Sequence, residues 1–294
     1  MNYYDEIKNE LVNSEINRKV KNYLVNRSDL NTYYNVGKML SEAGNHYGEG
    51  IIKEYSKRLT IELGKGYGIS NLKRMRQFYY MIEKGVSTPH QLSWSHVLRL
   101  LPLNNVNEIN YYINITIINN YSYRELGNRI KNKEYERLDN ETKTKLINNN
   151  KREVVDFVKN PILIKNSLNI KNISEKILQK LILEDLASFM KELGDGFCFV
   201  ANEYKIKIGN TYNYIDLLFY NFKHKCFVVI ELKVTKLSYN YTGQIQNYMN
   251  YIDKNVKGID DNKTVGIIIC KINNQYVIDY CSDNRIISRE YELV

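Results

Sequence analysis

Three ionisable residues stand where strand-forming sequence should exclude charge. In VVIELKV, residues 228–234, Glu231 and Lys233 interrupt a β-branched, apolar run, and Asp216 does the same upstream in YIDLLFY. Taking an ion out of water costs several kcal/mol unless it is paired. The short joint NFKHK between the segments predicts an antiparallel hairpin. With Tyr220 opposite Phe227, Asp216 falls opposite Glu231, with Cβ atoms about 4.5–5.5 Å apart. Lys233, two residues on, projects from the same face as Glu231. Two facing carboxylates repel unless a cation lies between them. Hard oxygen ligands with no Cys or His beside them suit Mg²⁺, or Mn²⁺ in its place, rather than zinc. A lysine beside such a cation can orient or deprotonate water, which makes the set suited to hydrolysing phosphodiesters.

The elements that must hold these residues are legible after Gly194. FCFVANEYKIKI, YNYIDLLFY, CFVVIELKV and TVGIIIC read as strands, with a helix over YNYTGQIQNYMNYIDKN between the last two. SEKILQKLILEDLASFMKEL, residues 174–193, reads as one helix, with Ser174 as N-cap and Gly194 as its stop. The order of helix, three strands, helix and strand predicts an α/β domain with an antiparallel meander. Residues beyond Cys281 are left unassigned. Residues 1–140 carry apolar side chains three and four apart and predict an all-α domain. Residues 141–172 are polar, contain Pro161 and read as a connector with some short helix, which leaves 173–294 as the second domain.

Composition excludes several classes. At 294 residues and 43% hydrophobic content the chain can bury a real core. No apolar run reaches the roughly 18 residues of a membrane span. The polar start MNYYDEIKNELVNSE is unlike a secretory signal. Cys198, Cys226, Cys270 and Cys281 lack CxxC spacing and read as reduced, packed thiols, so a cytoplasmic setting is expected. The net charge of +9 suits a polyanionic partner. The first 150 residues hold 22 Lys+Arg against 16 Asp+Glu, and the remainder 20 against 17, so the bias lies in the helical half.

Within that half, Ile52, Tyr55, Leu59 and Leu63 share a helical face, GKGYG breaks the helix, and Ser70 is a candidate N-cap for the next one. There Leu72, Met75, Tyr79 and Ile82 form an apolar stripe and leave Lys73, Arg76, Gln77 and Tyr80 outward. Lys57, Arg58, Lys65, Lys73, Arg74 and Arg76 face a single acid, Glu62, across this stretch. Helix, glycine turn and basic helix predict a helix-turn-helix-like nucleic-acid reader. A helical bundle with a solvated basic face is the competing reading. Glu203 reads as a surface strand residue, and His96, beside Trp94, as structural.

The string LGDGFCFVANEYKIKIG…YIDLLFY…CFVVIELKV…YTGQIQNYMNYID…GIIICK resembles the C-terminal domain of YhcG-type proteins of the PD-(D/E)XK nuclease superfamily. The resemblance implies a restriction-endonuclease-like domain, with a mixed sheet flanked by helices, and a metal site at Asp216, Glu231 and Lys233. It implies a further acid on the preceding helix, ten residues before Gly194: Glu184, with Asp185 its close neighbour. It also implies a Gln-x-x-x-Tyr pair on the following helix, met by Gln244 and Tyr248. YYNVGKML…YGEGIIKEYSKRLTIELGKGYGISNLKRMRQFY…LSWSHVLRLL…YSYRELGNRI resembles the helical domain that accompanies this nuclease. The expectation is a Mg²⁺-dependent DNA nuclease of genome-defence or mobile-element settings. RNA as substrate, homo-oligomerisation and a non-catalytic scaffold are left open.

Overall fold

The structure, a computed structural model, describes residues 3–20, 25–48, 50–148, 150–167, 169–170 and 172–294. It forms two compact units, the first ending at Tyr135 and the second running Glu136–Val294.

The first unit is all helical among its described residues: α1 (Tyr3–Val20), α2 (Val25–Tyr47), α3 (Ile51–Leu63), α4 (Ile69–Glu83), α5 (Trp94–Leu100), α6 (Val106–Asn119) and α7 (Tyr123–Lys131). Ile7, Leu11, Val36, Leu40, Ile52, Leu59, Leu72 and Met75 share one core. Helices α2 and α4 approach closely at Gly37, where a Cβ would lie 2.2 Å from the Met75 carbonyl oxygen. The buried stripe of α4 differs from the expected one: Leu72, Met75, Phe78 and Met81 point inward, while Tyr79 and Ile82 are half-buried. The reason is aromatic. Phe78 packs edge-on against Trp94, with centroids 5.7 Å apart, and Tyr79 pairs with Tyr34 at 5.4 Å. Ser70 is not the N-cap, because the helix begins at Ile69 and Gly68 caps it. His96 is structural, forming a capping box with Ser93.

The second unit contains α8 (Asn140–Ile147), β1 (Ile162–Ile164), α9 (Glu175–Glu184), α10 (Leu186–Leu193), β2 (Phe197–Ile208), β3 (Thr211–Asn221), β4 (Cys226–Lys236), α11 (Tyr239–Asn255), β5 (Val265–Ile272), α12 (Gln275–Asp279) and β6 (Ile286–Leu293). The six strands form one sheet in the order β1-β6-β5-β4-β3-β2. Strands β2, β3 and β4 are antiparallel, whereas β4, β5, β6 and β1 run parallel. Leu178, Leu181, Phe189 and Leu193 of α9 and α10 join Leu217, Phe219, Ile230 and Leu232 in one apolar layer. Ile245, Tyr248, Met249 and Ile252 of α11 join Leu218, Val229 and Ile268 in a second. The result is a mixed sheet flanked by helices.

Two expectations are corrected here. The stretch 141–172 is not a connector, although its residues 149, 168 and 171 lie outside those described. Besides a short helix, α8, as expected, it supplies the edge strand β1 and buries Val154, Val158, Ile162 and Ile164 in the core. The predicted helix 174–193 is two helices, because Asp185 (φ −130°, ψ 56°) leaves helical geometry and accepts a bond from the Ser188 N–H as N-cap of α10. Of the cysteines, Cys226 and Cys270 are buried, whereas Cys198, on the edge strand, is exposed. No helix among the described residues is long and apolar enough to cross a membrane.

Candidate active site

The β3–β4 ladder pairs Tyr220 with Phe227 and Leu217 with Ile230, the expected register. It ends there, one residue short of Asp216 and Glu231. In place of another rung, the Leu232 N–H donates to Asp216 Oδ2 at 2.8 Å. The strands part at this point and both acids occupy the opening. Glu231 is 1% exposed and Lys233 7%. Lys233 Nζ lies 3.4 Å from Glu231 Oε2 and 3.6 Å from Glu175 Oε2, with the Tyr241 ring 5.2 Å away. Among the described residues Glu231 Oε1 has no hydrogen-bond partner. A buried carboxylate oxygen left unpaired is costly and calls for an explanation, such as a catalytic role or a bound water or ion.

The electrostatics follow from this crowding. Burial, then Asp216, pushes the Glu231 carboxyl up from 4.5 to about 8, against the pull of Lys233. Burial also raises Asp216; the Leu232 N–H and Lys233 oppose it, and Glu175 and Glu203 add repulsion. Burial lowers Lys233, yet Glu231, Glu175 and Asp216 outweigh it and hold the ammonium above lysine's ordinary value. One acid is thus held toward its neutral form beside a firmly charged lysine, the kind of imbalance found at functional sites.

Gln244 and Tyr248 lie one turn apart on α11, joined by a 3.0 Å bond from Gln244 Nε2 to the Tyr248 hydroxyl. Burial raises the Tyr248 phenol, and the charges of Glu231 and Asp216 add to the rise. Glu184 is not brought to this cluster. It ends α9, accepts from Ser167 Oγ at 3.1 Å and lies 3.9 Å from Lys180. Asp185 instead caps α10. Among the described residues no three acid, His or Cys side chains converge as a metal cluster, so the expected trio of Glu184, Asp216 and Glu231 is not assembled. The count back from Gly194 assumed one unbroken helix; the end of α9 that faces β4 is its first turn, which holds Glu175. Gln179, one turn further on, donates to the Asp216 carbonyl at 2.9 Å. Sequence reasoning missed both, though Glu175 directly follows the cap Ser174. Glu203, read as a surface residue, is exposed, and it lies across from Asp216 with φ 46°. Its flanking pairs are Asn202 with Leu217 and Tyr204 with Ile215.

In the first unit Lys57, Lys65, Lys73, Arg74 and Gln77 are exposed. Arg58 is also exposed but lies over the Tyr4 ring, 3.4 Å from its centroid. Arg76 is half-buried rather than outward.

Residues 155–293 match the family described as the YhcG PDDEXK nuclease domain, and residues 6–137 match the DUF1016 N-terminal domain. The chain thus carries the two domains of the YhcG-type PD-(D/E)XK nucleases. YhcG of Escherichia coli (strain K12) is 26% identical to it over 310 residues, covering 89% of this chain and 82% of that protein. Among solved structures, a repair endonuclease from Pyrococcus abyssi is similar at 16% identity and a TM-score of 0.29, over 43% of this chain and 49% of its own. An EndoMS–dsDNA complex gives 17% and 0.29, over 44% and 48%. The chain thus spans about half the length of the solved structures it matches. The family match makes residues 155–293 a PDDEXK nuclease domain, built on the mixed sheet flanked by helices.

Proposed function

We propose that the chain is a divalent-metal-dependent nuclease acting on DNA, with Asp216, Glu231 and Lys233 at its centre. The observation that carries this reading is the buried Glu231 carboxylate, its Oε1 unpaired, beside Asp216 and an ammonium. Two carboxylates and an orphaned oxygen fit a hard cation, and Mg²⁺ keeps several waters rather than demanding an all-protein cage. Asp216 and Glu231 would hold Mg²⁺, with Mn²⁺ a substitute; such an ion supplies charge to offset that of the phosphate and acidifies a bound water. Lys233, held protonated, orients that water or donates to a phosphate oxygen. Glu175 fixes the ammonium from the other side. Gln244 and Tyr248 wall the α11 side of the opening.

In the helical unit, Lys57, Lys65, Lys73, Arg74 and Gln77 are suited to phosphate contacts that position the duplex without reading its sequence. The test is incubation of the full chain with plasmid, linear and branched DNA, and with RNA, in Mg²⁺ or EDTA. Cleavage of DNA that needs the metal and is lost in Asp216→Asn and Lys233→Ala, with DNA affinity retained, is expected. Retained binding with no cleavage of any substrate would support a non-catalytic scaffold instead.

A further inference from the structure

Strands β2 and β3 continue beyond the point where β4 leaves them. They pair from Phe197–Asn221 out to Ile208–Thr211, but β4 joins only up to Leu217. The outer half is therefore a two-stranded ribbon beyond the last β3–β4 pair, closed by Gly209 (φ 60°) and Asn210. Its two faces differ. Tyr204, Ile206 and Ile215 pack into the α11 layer. On the other face Lys205 sits opposite Tyr214 and Lys207 opposite Tyr212. Tyr212 is 55% exposed and Tyr214 53%, and both lysines are exposed. Lys205 Nζ lies 4.0 Å from the Tyr212 ring centroid and Lys207 Nζ 5.8 Å. The ribbon's two acids, Glu203 and Asp216, both lie at its base.

Tyrosine is a good strand former and Lys–Tyr cross-strand pairs stabilise a ribbon, so stability alone accounts for some of this. It does not account for where the ribbon starts. Tyr214 and Tyr212 precede Asp216 on one strand by two and four residues, about 7 and 13 Å at strand rise. A nucleic-acid strand with a phosphate at Asp216 and Glu231 has its flanking nucleotides within reach of these rings. Cations that track phosphates, interleaved with flat rings on which bases stack, are the chemistry of single-strand binding.

We propose that Lys205, Lys207, Tyr212 and Tyr214 form a track for single-stranded nucleic acid flanking the cut position. This rests on the nuclease reading of Asp216 and Glu231. The lysines offset phosphates and the rings stack bases, so the track recognises unpaired strands with little regard to sequence.

The test uses full-length protein in EDTA, where no cleavage occurs, and fluorescence anisotropy with labelled oligo-dT and a blunt duplex. Tyr212→Thr/Tyr214→Thr keeps strand propensity and removes the rings. It is expected to weaken oligo-dT binding about ten- to a hundred-fold, with the salt slope unchanged. Lys205→Gln/Lys207→Gln is expected to lower the salt slope by about 1.4, roughly 0.7 per phosphate. Duplex binding by both variants should match wild type. The lysine pair decides alone if the threonine variant melts below wild type. Unchanged oligo-dT binding, no oligo-dT binding by wild type, or a loss confined to duplex overturns the track; the last would mean a ribbon seated in the major groove. If these binding differences hold while wild type cleaves nothing in Mg²⁺, the ribbon binds single strands, and the nuclease reading falls together with the track's place beside a cut.

Discussion

Asp216 accepts the Leu232 N–H at 2.8 Å where a backbone rung of the β3–β4 ladder would otherwise form. One carboxylate thereby serves both the sheet and the site. Asp216→Ala would leave a buried N–H unpaired at about 1–3 kcal/mol, mixing a folding defect with a chemical one. Asp216→Asn keeps an acceptor oxygen and removes the charge. Its melting point is expected close to that of wild type, with cleavage down at least about a hundred-fold. Equal cleavage by Asp216→Asn in a single-turnover assay would remove Asp216 from the chemistry.

Glu231 is expected to make the metal-free protein sensitive to pH. Its folded-state carboxyl, near 8, lies above its ordinary 4.5. The folded state therefore binds this proton more tightly than the unfolded state does. The stability so contributed is present below about 4.5 and lost as pH rises through about 8. In EDTA the melting temperature of the nuclease unit should fall between pH 5.5 and pH 8.5. Mg²⁺, which binds the ionised form, should restore it at the alkaline end. Glu231→Gln cannot ionise and should flatten this slope; a variant as steep as wild type would assign the pH dependence to other groups.

How much of this was legible in the sequence differs between elements. The meander was, because Asp216 and Glu231 break apolar alternation in two segments joined by a short loop, and register follows from the loop. Strand β1 was not. It has three residues and its partner is β6, more than a hundred residues away, so local pattern carries no trace of the pairing. Strand β6 was hidden by Arg289, a charged residue that is nonetheless buried; its guanidinium donates to the Val158 and Ser288 carbonyls and to Asp139. The same limit misplaced the helical acid. One residue, Asp185, leaves helical geometry and turns α10 away from α9, and apolar periodicity alone does not register it.

Glu175 and Glu184 close the two ends of α9 and should behave differently. Glu175 Oε2 is 3.6 Å from Lys233 Nζ, whereas Glu184 is bound to Ser167. Glu175→Gln is expected to lower kcat/KM about ten- to a hundred-fold by loosening Lys233. Glu184→Gln should stay within about two-fold. The reverse order in parallel kinetics would return the metal-site role to Glu184.

Lys73 and Arg74 test the helical unit as a backbone-contacting surface. Both are exposed on α4, and phosphate contacts carry affinity without sequence preference. Lys73→Ala/Arg74→Ala is expected to weaken duplex binding equally across unrelated sequences. It should lower the slope of log affinity against log salt by about 1.8, roughly 0.9 per contact. A titration between 50 and 200 mM salt, the range over which about this dependence develops, is the measurement. An unchanged slope would leave α4 a solvated face.

The α2–α4 packing makes one glycine indispensable and sets it against another. A Cβ at Gly37 would lie 2.2 Å from the Met75 carbonyl oxygen and 2.8 Å from its carbon, so the two helices must separate to admit it. Glycine-to-alanine inside a helix ordinarily gains up to about 1 kcal/mol from propensity. Forced overpacking costs about 1–3 kcal/mol, and here the obstacle is backbone, which cannot swing aside as a side chain can. The clash wins, and Gly37→Ala should lower the melting temperature of the helical unit. At Gly243 in α11, apart from its chain neighbours and the helix's own backbone, no atom of the described residues lies within 4 Å of the Cβ position. Gly243→Ala should therefore raise the melting temperature of the nuclease unit, and calorimetry of the two variants should show shifts of opposite sign.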